Sequence, residues 1–328
     1  MKSIAIIANP ASGKDIRRLV AHGTVISNME KVNIIRRVLL GLEAMEVEQV
    51  FFMPDHYGLG KKAMESLDLS LKTDFLEIIP NHTQDDSTNA AGMAVELGVA
   101  CLIVLGGDGT NRVVAKASGQ IPLLSIATGT NNVFSTMIEG TLAGIAAGVL
   151  ARDELPLEGL TQTAPRLEIW RDDKFLDIAL VDVVISNQGF IASRALWNTD
   201  HITEVFLTRA EPHNIGFSSL GGYLCHLPLD SGKGLHIRIG QGNTSVKAPI
   251  APGLIKWVPI ESYGTFEPGQ KILINKAPSV IALDGEREIT MTQHDEIFVI
   301  LNRHGPRIVK LAETLQNASD TCLLVSSD

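Results

Sequence analysis

Cys101-Leu102-Ile103-Val104-Leu105-Gly106-Gly107-Asp108-Gly109-Thr110 decides how this chain is read. An unbroken apolar run opens it, the pattern of a strand buried on both faces of a parallel sheet. The run stops at Gly106-Gly107-Asp108-Gly109-Thr110, and Asn111-Arg112-Val113-Val114-Ala115-Lys116-Ala117 continues as a helix. Glycines at the carboxyl end of a strand let the backbone turn sharply and come close to a ligand. The helix behind them offers its free N–H groups to an anion. Asp108 stands between the glycines, where it would repel a phosphate unless a metal ion or a proton-accepting role compensates. With an ordinary pKa near ~3.9 it is expected to be ionised at neutral pH. A phosphate cradle that also holds a carboxylate suggests phosphoryl transfer, with Asp108 receiving a hydroxyl proton or positioning a metal.

On either side of this stretch, strand and helix signals alternate through the first half. Strands are predicted at Ile4–Ala8, Val50–Met53, Phe75–Ile79, Cys101–Leu105 and Leu123–Ala127. Residues 28–46 carry Val32, Ile35, Leu39, Leu42 and Met45 at helical spacing. Further helices are expected over 58–68, from a cap at Asp85, Asp86 or Ser87 to Leu97, and through the Ala-, Gly- and Leu-rich segment ending near Leu150. This alternation implies parallel strands with helices on both faces. Beyond 155 the texture changes. Arg166–Arg171, Phe175–Ser186, Gly234–Ile239, Ser245–Pro249, Ile255–Pro259, Lys271–Asn275, Ser279–Leu283, Glu288–Met291 and Ile297–Leu301 are β-like runs cut by Gly, Pro, Asp and Asn. They predict an antiparallel β domain, with a less regular, partly helical interruption over 202–226. The chain therefore divides into an α/β domain over 1–155 and a β domain over 156–305.

Composition limits the function. The 328 residues are 45% hydrophobic and 20% charged, those of an ordinary globular protein, and carry a formal charge of −9. That balance argues against nonspecific binding to nucleic acid or anionic membranes. No apolar run approaches the roughly 18–20 residues that span a bilayer, so stable membrane insertion is not expected. The first apolar run ends at Asn9-Pro10 and reads as a strand rather than a signal peptide. Three widely spaced cysteines form no metal or redox motif and fit a reducing cytoplasm. The nine histidines show no metal-ligand spacing, and His82, His201, His213 and His304 read as surface or hydrogen-bonding residues.

Three further segments carry chemistry. Asn9-Pro10-Ala11-Ser12-Gly13-Lys14-Asp15 follows the first strand but is not a P-loop, because Ala8 and Asp15 stand where Gly and Ser or Thr belong. It is either a plain strand-to-helix turn or a loop at the sheet edge where open α/β sheets bind ligands. Thr128-Gly129-Thr130-Asn131-Asn132 repeats the strand–polar loop–helix design. It serves either as a helix cap or, if its strand neighbours the Cys101 strand, as the second wall of one crevice. Asp284-Gly285-Glu286 is either a hairpin turn or an acidic turn hung over that crevice to serve a metal ion. Gly216–Tyr223 is either a close-packed helix or a substrate-facing loop.

In this order, the landmarks resemble the superfamily of NAD kinases and diacylglycerol/sphingosine-type lipid kinases, and most closely its NAD-kinase-like branch typified by the acetoin-catabolism protein X. The resemblance rests on Asn9-Pro10-x-Ser12-Gly13, Gly106–Thr110, Thr128–Asn132 and Asp284-Gly285-Glu286. It implies a Rossmann-like α/β domain, a C-terminal antiparallel β-sandwich, an active site in the cleft between them, and a tail of about 306–328 that returns to the first domain. By the same likeness Asp108 is the catalytic residue. Asn9, Gly106, Gly107, Gly109, Thr110, Thr128, Gly129, Thr130, Asn131 and Asn132 hold nucleotide phosphates. Asp182 and Ser218 face the substrate, and Asp284 and Glu286 serve a metal. ATP, Mg²⁺ and, as candidate substrate, NAD come with it, as does a homo-oligomer, dimer or tetramer.

The chain also departs from its relatives. Val181-Asp182 replaces the Asn-Glu pair of NAD kinases, a change that can alter specificity strongly. The nearest counterpart of their Thr-Gly-Ser-Thr-Ala-Tyr loop is 216–223. Arg112-Val113 stands near where the lipid kinases place Asn-Glu. Three functions follow as expectations: a kinase acting on a hydroxyl of NAD or a related small molecule, a lipid kinase with a greasy cleft, and a non-catalytic nucleotide-binding accessory or sensor protein of a catabolic pathway.

Overall fold

A computed structural model describes residues 2–14, 21–65, 67–187, 199–275 and 278–325. Strand β1 (Ile4–Ala8) is buried along its whole length. Its alternate residues Ile4, Ile6 and Ala8 enter one core, and Ala5 and Ile7 enter another. β4 (Cys101–Gly106) divides in the same way, Ile103 and Leu105 to the first core and Leu102 and Val104 to the second. β2 (Gln49–Phe52), β3 (Lys72–Phe75) and β5 (Leu123–Ala127) complete the parallel set. Helices α1 (Asn28–Ala44), α2 (Leu59–Met64) and α5 (Gly140–Arg152) cover the first face, while α3 (Asp85–Glu96) and α4 (Asp108–Ala115) cover the second.

α1 and α5 approach so closely that a methyl group on Gly144 would overlap the Val38 carbonyl, and one on Gly41 the Thr141 carbonyl. Their N-termini are capped by Ser27 Oγ, which accepts from Glu30 N, and by the Glu139 carboxylate, which accepts from Thr141 N and Leu142 N.

Three expected boundaries move. The third strand is Lys72–Phe75, not Phe75–Ile79. It is the sheet's edge and mostly exposed, so it lacks an apolar signature, whereas Ile78 lies in a tight turn and Ile79 is 94% exposed. α3 has no side-chain cap at its start; Asp86 instead accepts N–H groups from Asn81 and His82 in the loop before it. α4 begins at Asp108 itself.

After α6 (Leu157–Leu160), β6 (Thr161–Thr163) still belongs to the first sheet. The β domain then follows. β7 (Arg166–Arg171), β8 (Lys174–Ala179), β13 (Lys271–Leu273) and β16 (Ile297–Asn302) form a four-stranded antiparallel sheet. β9 (Asp182–Ser186), β10 (Ile202–Leu207), β11 (Gly234–Ala251), β12 (Leu254–Phe266), β14 (Ser279–Leu283) and β15 (Glu286–Met291) form a six-stranded one. Leu167, Ile169, Val299 and Leu301 of the smaller sheet share a core with Val183, Ile185, Phe206, Ile281 and Leu283 of the larger, which makes a sandwich. The single run expected over Phe175–Ser186 is broken at Leu180-Val181. The interruption expected over 202–226 resolves into β10 and helix α7 (Phe217–Leu224).

The chain then returns. β17 (Arg307–Val309) pairs in parallel with β5 and antiparallel with β6, giving the order β3-β2-β1-β4-β5-β17-β6, and α8 (Leu311–Asp320) places Ala318 in the first core. The two halves are pinned by Arg112 of α4. Its guanidinium is fully buried and donates to Asp177 of β8 at 2.9 Å and Glu288 of β15 at 3.0 Å, with Lys116 2.7 Å from Asp177. Among the described residues no helix is long and apolar enough to cross a membrane.

Candidate functional site

β1, β4 and β5 are neighbours and parallel, so the loops at their carboxyl ends lie side by side, at the edge where open α/β sheets bind ligands. Side chains fasten them together. Asn9 Nδ2 donates to Thr110 Oγ1 at 2.9 Å, the Ser12 and Thr128 hydroxyls bond at 2.7 Å, and Thr128 N donates to Gly106 O at 2.9 Å. The glycines of Gly106–Thr110 are not there for left-handed turns, since none of them has positive φ. They are there for room. A methyl on Gly106 would overlap the Thr110 side chain, one on Gly107 would lie 3.2 Å from Gly129 Cα, and one on Gly109 would lie 3.1 Å from Glu286 Oε1. A methyl on Gly129 would lie 2.8 Å from Gly107 Cα and 2.7 Å from Asn132 Oδ1. The two glycine loops touch backbone to backbone.

Between them opens a cavity of about 550 Å³. Asn9–Gly13, Gly107–Thr110 and Gly129–Asn131 line it, together with Asp55, His56 and His82 from the loops beyond β2 and β3 and Asp85 and Asp86 of the first turn of α3. Asp284 and Glu286 of the β domain line the same cavity. The Asp284-Gly285 pair has φ of +50° and +80°, a two-residue turn with both central residues left-handed. The hairpin reading and the acidic-turn reading of this segment therefore describe one object.

Both buried carboxylates hold backbone. Asp108 Oδ1 accepts from Phe134 N at 3.0 Å, Ser135 N at 3.1 Å and Ser135 Oγ at 3.2 Å, and Oδ2 accepts from Val133 N at 2.9 Å. Asp108, expected as an ordinary ionised carboxylate, is clasped by backbone on both oxygens. Burial pushes its pKa up, against the opposing pull of these amides and of the Arg209 charge. Asp284 accepts N–H groups from Leu180 at 2.9 Å, Val181 at 2.7 Å and Asp182 at 3.1 Å, which is what breaks β8 from β9. Burial raises it to about 7 while those amides and Arg112 pull it down.

Asp284, expected to serve a metal with Glu286, takes its three amides on Oδ1, and only Leu180 N also reaches Oδ2. Among the described residues no three His, Cys, Asp or Glu side chains gather as a metal cage. Glu286 lies over the first turn of α4, beside Gly109. Mg²⁺ is commonly held by one or two carboxylates together with substrate phosphates, and Glu286 suits that mode.

The other expected residues fall in several places. Thr130 lines the cavity, and Asn131 donates to Ile250 O of β11 at 3.4 Å. Asn132 turns back to Gly129 O at 3.0 Å. Ser218, expected to face a substrate, is fully buried in α7; its hydroxyl donates to Arg209 O, so 216–223 is a packing helix. Asp182 lies beside the turn but does not line the cavity; its N–H serves Asp284. His82, read as a surface or hydrogen-bonding residue, is exposed at the rim of the cavity, with its ring edge-on to His56 at 5.5 Å.

Sequence reasoning missed four residues. Lys31 is fully buried beneath the first loop, and its ammonium donates to Asn9 O at 2.9 Å, Pro10 O at 3.3 Å and Ser12 O at 2.9 Å. Its place in the stripe Lys31-Ile35-Val38-Leu42, four apolar-facing positions of α1, was the available signal. Ser135 clasps Asp108, and Asn111 joins Gly107 O to Ser135 and Ser125. Arg209, buried with its guanidinium carbon 5.5 Å from the Phe134 ring centre, had no sequence signal.

Residues 4–154 match the model of the ATP-NAD kinase N-terminal domain, and residues 165–304 match that of the acetoin catabolism protein X C-terminal domain. The chain is 38% identical over 329 residues to acetoin catabolism protein X of Cupriavidus necator, covering 96% of this chain and 92% of that protein. It is 23% identical over 222 residues to an NAD kinase of Methanosarcina mazei, covering 66% of this chain and 72% of that one. It is 26% identical over 207 residues to an NAD kinase of Desulfatibacillum aliphaticivorans, covering 61% and 69%. Matched along nearly its whole length, with an NAD-kinase domain at the front and the protein X domain behind it, the chain belongs to the acetoin catabolism protein X family.

Proposed function

We propose that this protein is an ATP-dependent phosphotransferase that moves a phosphoryl group to a hydroxyl of NAD or a related small polar molecule. One observation carries the reading: the two glycine loops meet at a single cavity whose wall includes the first turn of α4 and Asp108. The first N–H groups of a helix have no partner within it and suit phosphate oxygens. Those of Gly109 and Thr110, with the 129–131 loop, receive the nucleotide phosphates. Asp108 Oδ2 carries one amide where Oδ1 carries three donors, so it retains acceptor capacity for a hydroxyl proton. A carboxylate raised by burial is the better general base near neutral pH. Mg²⁺, when bound with Glu286 and the phosphates, supplies charge neutralisation. Positioning and charge account for most of phosphoryl-transfer catalysis.

Among the named alternatives, a lipid kinase needs an apolar acceptor cleft, and this wall is dominated by Asn, Ser, Thr, His and Asp side chains. A nucleotide-binding accessory protein without transfer draws on a different observation, the engagement of Asp108 by Val133, Phe134 and Ser135. A labelled-ATP assay offering NAD, diacylglycerol and sphingosine separates the three. The phosphotransferase reading predicts label on NAD or another polar acceptor and a loss of at least about 10²-fold in Asp108→Asn. Undiminished turnover in that variant removes Asp108 from the chemistry. Tight ATP binding with no transfer to any acceptor favours the accessory protein.

A further inference from the structure

β12 is the edge of the larger sheet of the sandwich and β13 the edge of the smaller one. A second cavity, of about 250 Å³, opens where these edges meet, and none of its lining residues lines the first. The β11–β12 register sets Arg238 opposite Ser262 and His236 opposite Gly264. All four line the cavity, as do Gln270 and Ile272 at β13. A methyl on Gly264 would meet nothing within 4 Å, so no part of the chain fills the space above it.

The polar groups of this cavity are unequally used. His236 Nε2 lies 2.9 Å from Glu204 Oε2, and its ring stacks on Phe206 with centres 4.2 Å apart and planes 3° apart. Glu204, only 2% exposed, is therefore spent on the imidazole. Arg238 stands directly across from Glu204 in the β10–β11 register and yet does not pair with it. Among the described residues this half-buried arginine makes no hydrogen bond and no ion pair. Gln270 Oε1 accepts from Glu267 N, while its amide N–H groups find no acceptor among the described residues. Glu267 itself is held by Lys233 at 2.8 Å. No Asp or Glu lines the cavity.

In a chain of formal charge −9, a cavity with an unpaired guanidinium, hydroxyl and amide donors and no acid is complementary to an anion. The fork of a guanidinium matches the paired oxygens of a carboxylate or a phosphate. Phe266 and Ile272 complete the lining with apolar surface, the usual mix of a small-molecule site. We propose that this cavity is a second ligand site, which takes the carboxylate or phosphate group of a small organic anion on Arg238. Ser262 and Gln270 add hydrogen bonds, and Phe266 and Ile272 receive the ligand's apolar portion. The site is built by β11, β12 and the start of β13 alone, and it rests on no part of the phosphotransferase reading.

The test is NMR of the full chain with isotope-labelled histidines, titrated at constant pH and ionic strength with acetate, inorganic phosphate and tetramethylammonium. His236 lines the second cavity and His56 and His82 line the first, so the two sites report separately. The His236 signal is assigned by its loss in His236→Gln. At least one anion is expected to shift His236 along a saturating curve, while tetramethylammonium leaves it fixed. Tighter binding of acetate assigns a carboxylate ligand, and tighter binding of phosphate a phosphate ligand. In Arg238→Met and Arg238→Gln that anion is expected to bind about tenfold or more weakly, the weight of one charge-assisted hydrogen bond. Neither substitution breaks a pair, so the unliganded variants are expected to melt with wild type. A His236 shift that never saturates for either anion overturns the proposal, as does an equal response to tetramethylammonium. Movement of His56 or His82 alone overturns it too, since the anion then sits in the first cavity. So do affinities of both variants within twofold of wild type, or losses found only in variants that melt lower. His236 answers without turnover, so a protein that transfers no phosphoryl group leaves the proposal standing.

Discussion

Replacing Arg112 by Met should separate the two halves energetically. The guanidinium is fully buried, and its partners Asp177 and Glu288 are themselves 14% and 13% exposed. Removing one member of a buried pair leaves an uncompensated charge, at a cost of about 3–5 kcal/mol. The arrangement places this case at the lower end. Asp177 keeps Lys116 at 2.7 Å, so of the two ion-pair partners only Glu288 is left bare, and a loss of about 3 kcal/mol follows. Lys116→Ala should cost less than about 1 kcal/mol, because that side chain is 29% exposed and its pair is partly screened. The assay is equilibrium urea unfolding followed by tryptophan fluorescence. Arg112→Met combined with Glu288→Leu should recover most of the loss, since no unpaired charge is then left buried. A single Arg112→Met variant within about 0.5 kcal/mol of wild type, or a double variant that only adds a second loss, would refute the reasoning.

Two other substitutions address the loops. Burial holds the Lys31 ammonium at about 8, below the 10.5 of an ordinary lysine. Between those values the unfolded chain binds a proton that the folded chain does not, so wild-type stability rises with pH across that window, and the whole penalty is present below 8. Lys31→Met lacks the rise, and the stability gap between the two proteins should grow in favour of wild type by about 3 kcal/mol from pH 8 to 10.5; a pH-independent gap contradicts the placement of Lys31. In Gly129→Ala the new methyl meets Gly107 Cα at 2.8 Å and Asn132 Oδ1 at 2.7 Å, which forces the two loops apart at a cost of about 1–3 kcal/mol. ATP affinity should fall with it, while Gly264→Ala, whose methyl meets nothing within 4 Å, should leave melting and affinity unchanged.

The α/β half is legible in the sequence because β1, β4 and β5 are buried on both faces and so read as uninterrupted apolar runs. β3 escapes because an exposed edge strand has no reason to be apolar, and Ile78-Ile79 beside it mimics one. The break at Leu180-Val181 is invisible locally, since Asp284 imposes it from 103 residues further along. The glycines of Gly106–Thr110 were tied to close approach to a ligand; the neighbours they make room for within the chain are Gly129, Thr110 and Glu286. None of them takes a left-handed conformation, so their turn from β4 into α4 does not depend on positive φ. Lys31, Arg112 and Arg209 show the limit of pattern reading. Each is a buried cation, and only the folded chain reveals that the first holds a loop, the second joins the halves and the third sits against the Phe134 ring.

The central claim is that the cavity between the two glycine loops takes a nucleotide's phosphates. A crystal structure of the full chain with Mg²⁺ and a non-hydrolysable ATP analogue tests it most directly. The account predicts phosphate oxygens on the backbone N–H groups of Gly109, Thr110 and the 129–131 loop, with Glu286 on the metal side and Asp108 Oδ2 facing the end of the phosphate chain. An analogue whose phosphates lie away from both loops, or that binds elsewhere on the molecule, would contradict it.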